Sequence, residues 1–64
     1  MIIKLTDYTH SNVIINTEYI QFCIENEDGF SIFFNNGSPI KINRPMAEFE
    51  SIIKAHGLRI INIL

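Results

Sequence analysis

The side chains best suited to chemistry in this chain are one cysteine, two histidines and a short acidic run. They are Cys23, His10, His56 and the stretch Glu25-Asn26-Glu27-Asp28-Gly29. A cysteine beside a histidine could make a nucleophile and its base, but the pair must come within hydrogen-bond reach. No local motif brings either histidine to Cys23. A free cysteine in a strand pattern reads instead as a small buried hydrophobe. His10 sits between Thr9 and Ser11 in a polar stretch. His56 stands at the end of a helical pattern, where a cation favours the helix dipole. A metal site would require more ligands around either one. The acidic run lacks the spacing and the terminal glutamate of a calcium loop, and reads as a solvated hairpin tip. Gly29, Gly37 and Gly57 lie far apart, each at a turn or helix end, so no glycine-rich loop cradles a phosphate. Tyr8 and Tyr19 flank turns, where a ring half-buries and its hydroxyl stays wet. These patterns predict no catalytic residue, no cofactor and no metal.

The frame around these residues is small. Sixty-four residues bound the chain to one domain, residues 1–64, near the size where a lone core is marginal. A single cysteine excludes an internal disulfide, which leaves tight packing or association as the source of stability. Five Lys and Arg are scattered among seven Asp and Glu, for a net charge of −2. Such a balance offers no basic face for nucleic acid. No run of apolar residues is long enough to span a membrane. The opening residues, MIIKLTDY, lack the apolar core of a signal peptide, and one free thiol suits a reducing compartment. A cytoplasmic protein is expected.

Alternation predicts strands over Ile2–Thr6, Val13–Asn16, Ile20–Asn26, Phe30–Asn35 and Pro39–Asn43. Asp7–Asn12 reads as a polar connection and Asn16–Tyr19 as a tight corner whose Asn and Thr side chains bond nearby backbone. Asp28-Gly29 and Asn36-Gly37 supply the turn residues that hairpins demand. From Arg44 the period changes. Met46, Phe49, Ile52 and Ile53 recur at helical spacing, with Pro45 in the first turn, Asn43 as the cap and Gly57 just past the end. Leu58–Leu64 follows as a last strand, apolar on both sides. The expectation is an α+β domain. It has a mainly antiparallel meander of five or six strands, one amphipathic helix packed on one face, and a C-terminal strand.

One spacing resembles a known family. It comprises Ile3–Thr6, then Ile15-Asn16 with Glu18 and Ile20, then Glu27-Asp28-Gly29. Ile32, Phe34 and Asn36-Gly37 follow, and Ile40 and Ile42 lead into the helix. This looks like the small FlbD-type flagellar proteins and similar short bacterial and phage proteins, over roughly residues 3 to 53. The chain departs from them at Pro45, where a capping Ser is common, and in its apolar C-terminal residues. The resemblance implies a small binding or regulatory protein without catalytic residues. A LytTR-type DNA-binding domain is similar in its short strands and Asn-Gly hairpins, although the acidic balance argues against it.

Phe33 and Phe34 are neighbours, so in a strand they point to opposite faces. Simple alternation puts Ile3, Leu5, Phe22, Ile24, Ile32, Phe34, Ile40 and Ile42 under the helix. The other face then carries Ile14, Cys23 and Phe33, joined by Ile61 or Ile63. Either the sheet curls into a small barrel that closes over this second set, or a second copy covers it. The second alternative makes Phe33, Ile14, Cys23, Ile61 and Ile63 the candidate interface of a homodimer, with another, unidentified protein as the alternative partner. A nucleic-acid accessory role would need Lys4, Lys41, Arg44, Lys54 and Arg59 to converge.

Overall fold

In the computed structural model, which describes residues 1–62, every strand pairs with a neighbour in sequence. Strands β1 (Ile2–Thr6) and β2 (Asn12–Asn16) form one antiparallel hairpin. A single 3-10 turn, Thr17–Tyr19, leads into β3 (Ile20–Asn26). Then come β4 (Gly29–Phe34) and β5 (Ile40–Ile42), and α1 (Met46–Ala55) closes the order. The strands make two antiparallel sheets, β1-β2 and β3-β4-β5, rather than the one continuous sheet that the alternation predicts. The break falls at the corner after β2. Asn16 Oδ1 accepts the Glu18 N–H at 3.0 Å, and the Thr17 N–H and hydroxyl both donate to the Met1 carbonyl, at 2.9 and 3.1 Å. These bonds turn the chain out of the first sheet before β3 begins. The Tyr8 N–H then donates to the Lys41 carbonyl at 2.9 Å, which ties the first hairpin to β5.

The inner faces of both sheets and one stripe of the helix share a single core. Its buried members are Ile15, Phe30, Ile32, Ile42 and Phe49, flanked by Ile3, Leu5, Val13 and Met46 among others. Phe30 and Phe49 stack with ring centroids 5.3 Å apart, so the helix is held to the start of β4. Ile53 joins Phe49 on the inner stripe, whereas Ile52 lies at the rim, 39% exposed. The helix begins differently from the expectation. Pro45 occupies the cap position and makes no side-chain cap bond, and Asn43 does not cap. Arg44 and Glu48 supply the electrostatic substitute, with two hydrogen bonds of 2.7 and 2.8 Å. Gly57, at φ 88°, reverses the chain past the helix end, and the Leu58 N–H returns to the Ile53 carbonyl.

The expected C-terminal strand is absent from residues 58–62, which form no ladder. A strand needs a partner edge, and the sequence pattern of Leu58–Leu64 records apolarity without one. Among the described residues, no helix is long and apolar enough to cross a membrane.

Candidate functional site

The third strand decides which side chains reach the surface. Strict alternation would carry Ile20, Phe22 and Ile24 to one face. The ladder instead shifts between Ile20 and Phe22, where Ile20 pairs with Phe34 but Phe22 pairs with Phe33. That β-bulge inserts one unpaired residue, Gln21, and reverses the phase of everything after it. Ile20 therefore packs against the core, Cys23 packs there too, and Phe22 and Ile24 point outward. Two expectations are corrected here. Cys23, expected on the outer face, faces inward opposite Ile32, while Phe22 and Ile24, expected under the helix, are 45% and 52% exposed.

Phe33 lies on the outer face, as alternation along β4 requires. Its ring stacks on Phe22, with centroids 4.6 Å apart and planes 15° from parallel. Ile24 lies two residues further along β3, opposite Ser31, which in turn pairs with Lys41 of β5. The outer face of the three-stranded sheet thus carries an aromatic pair, one aliphatic side chain and a polar border. Sequence reasoning found Phe33 but missed Phe22 and Ile24. No residue type announces the bulge, so strict alternation was the only signal, and it pointed the wrong way.

The remaining candidates are dispersed. Ile14 is on β2 of the other sheet, opposite Lys4 of β1, and is 70% exposed. It borders a shallow cleft with Tyr19, Phe34 and Ile40 rather than joining Phe33. Ile61 is also 70% exposed and belongs to no strand. Ile63 lies outside the described residues.

Some of the groups that could do chemistry are engaged in structure. Burial pushes the Cys23 thiol above its ordinary pKa, which leaves little reactive thiolate. Asp7 organises the first loop. Its Oδ1 accepts from the Thr9 N–H at 2.9 Å, the Thr9 hydroxyl at 2.6 Å and the Ser11 N–H at 3.0 Å. The Thr9 hydroxyl and the Ser11 amide lower the Asp7 pKa. His10 takes the one positive-φ conformation of a non-glycine residue among the described residues, at 67°, within this loop. The ring Nδ1 of His56 lies 2.8 Å from the Ile52 carbonyl. Among the described residues, no three His, Cys, Asp or Glu side chains cluster to hold a metal.

Arg44 is occupied by Glu48, and Lys41 Nζ lies over the Tyr8 ring at 5.8 Å. A cleft of about 180 Å³ between β1 and α1 has Leu5, Phe30, Ile42 and Phe49 on its walls and the Arg44–Glu48 pair at its rim. It carries no convergent set of catalytic groups. The Phe22–Phe33 face is the best-defined recognition feature. No family model, curated protein or solved structure matches this chain.

Proposed function

We propose that this chain is a non-enzymatic interaction module that self-associates as a homodimer through β3 and the apolar side chains that it shares with β4 on the outer side of the sheet. The observation that carries this reading is the stacked Phe22–Phe33 pair, with a ring left in water on a strand whose inner side is already packed. Aromatic side chains at the centre of an apolar patch are the usual anchors of protein interfaces. Withdrawing a large apolar side chain from water is worth about 1.5–3 kcal/mol. Phe22 and Ile24 are about half exposed and Phe33 less so, so each contributes part of that value against the roughly 4–15 kcal/mol that association costs. A short chain without disulfides gains from a partner that extends its core. The resemblance to FlbD-type proteins fits a binding role, and a half-buried free thiol suits the cytoplasm.

Light scattering coupled to gel filtration tests the reading. The wild type should run as a dimer, and Phe33→Glu should shift it to monomer while circular dichroism shows a retained fold. A wild type that stays monomeric at high micromolar concentration refutes it.

A further inference from the structure

Strand β3 is the longest in the fold, with seven residues, and β4 occupies one of its edges. Among the described residues no strand pairs with the other edge. An open edge presents backbone N–H and C=O groups to any chain that can match them. Proteins commonly blunt such edges with lysine, proline or a bulge. β3 carries neither lysine nor proline. Its bulge is confined to Ile20–Phe22, which leaves Phe22–Asn26 in regular register. We propose that the second copy adds to this edge, β3 against β3, antiparallel about a twofold axis at Cys23. This rests on the self-association proposed above and specifies its geometry.

The register follows from which way the side chains point. A slip of one residue would set outward Phe22 against inward Cys23, so such pairings are excluded. A twofold axis at Phe22 pairs outward Ile24 with Ile20, which the bulge has turned inward. An axis at Ile24 sets Phe22 against Asn26, and half-buried Cys23 against the Glu25 carboxylate. The axis at Cys23, the middle residue of the strand, keeps the central pairs, Phe22 with Ile24 and Cys23 with Cys23, on matching faces and confines the mismatch of the bulge to the end pair, Ile20 with Asn26. Phe22 then faces Ile24 of the second copy, twice, and aromatic–β-branched pairs of this kind are favourable across strands. Glu25, the only charge on β3, meets the Gln21 amide of the second copy instead of another acid. The result is a six-stranded sheet. Its outer face carries a continuous apolar row of Phe33 and Phe22 with Ile24 of the second copy, and the reciprocal row beside it.

Exchanging charges reads this register directly. Phe22→Lys and Ile24→Glu should each raise the dimer dissociation constant by about tenfold or more in sedimentation equilibrium. The double variant Phe22→Lys/Ile24→Glu should recover most of that loss, because each new lysine faces a new glutamate only with the axis at Cys23. Cys23 supplies a second readout. Directly opposed residues have Cα atoms about 4.5–5.5 Å apart, within the range that a disulfide spans. Diamide, which takes the two protons and two electrons released by a thiol pair, should therefore convert reduced wild type to a Cys23–Cys23 dimer on a non-reducing gel. A wild type that is monomeric throughout overturns both this geometry and the self-association. A wild-type dimer whose double variant dissociates more than either single variant overturns the register and leaves self-association standing.

Discussion

Phe30 of β4 and Phe49 of α1 are stacked at 5.3 Å, and both are almost wholly withdrawn from water. This contact fastens the helix to the sheet, because Met46 and Ile53 on either side of Phe49 are only partly buried. Phe49→Ala should cost about 3–5 kcal/mol, a large share of the stability of so small a domain. Chemical denaturation should show a large fall in midpoint or no folded baseline. A native midpoint would mean that the helix does not depend on this ring.

Two glycines separate two kinds of backbone demand. At Gly29 a Cβ would collide with the Ile42 carbonyl oxygen and lie 2.9 Å from the Arg44 nitrogen, both rigid backbone atoms. At Gly37, with φ 93°, a Cβ would meet nothing within 4 Å. Gly37→Ala should therefore cost about 1 kcal/mol, from conformational strain alone. Gly29→Ala should cost several times as much, since it also pushes β4 from β5. Thermal melting of the two variants side by side checks the order, and equal melting temperatures would contradict it.

The bulge in β3 makes its own prediction. Gln21 is the extra residue between the Ile20 and Phe22 pairings. Deleting Gln21 makes Ile20 and Phe22 neighbours in a regular ladder, which keeps Phe22 outward and Cys23 inward. Thiol reagents should therefore modify Cys23 no faster in the folded deletion variant than in the wild type. A clear gain in Cys23 reactivity with the fold retained would count against Gln21 as the extra residue of the bulge.

The first loop should be sensitive to acid. The Asp7 carboxylate is held below its ordinary pKa by the Thr9 hydroxyl and then by the Ser11 amide. A carboxylate with a depressed folded-state pKa contributes stability above its unfolded value, about 4, and loses it as pH falls through the folded value. Asp7→Asn should therefore lower the melting temperature at neutral pH and make little difference near pH 2. A constant difference between variant and wild type across that range would remove Asp7 as the cause.

Much of the architecture was legible because turns and period changes are local. Asn16 and Thr17 revealed the corner, Gly57 the helix end, and Met46 and Phe49 the helical stripe. The division into two sheets was not legible, since Ile2–Thr6 and Ile20–Asn26 alternate alike whether or not they share a ladder. The candidate surface was half visible. Phe33 followed from its adjacency to Phe34, but Phe22 and Ile24 were hidden by a bulge that depends on how β3 meets β4. Residues 58–62 misled for a related reason, because apolar residues mark a strand only where an edge receives them.

The order of the ladders also bears on how the chain reaches this state. β1 meets β2, β3 meets β4, and β4 meets β5, so each described ladder closes only a short loop. Short loops have a small closure entropy, and chains built from local contacts reach the native state quickly. The slow event is then the docking of the first hairpin onto the β4–β5–helix unit, marked by the Tyr8–Lys41 backbone bond and the burial of Ile15 beside Phe30. Until that step, the inner face of β3, with Ile20 and Cys23, is bare in addition to the edge that stays open in the folded chain. Nascent chains therefore meet one another most readily along β3, so the rate of hairpin docking sets the interval in which they can pair before they are folded.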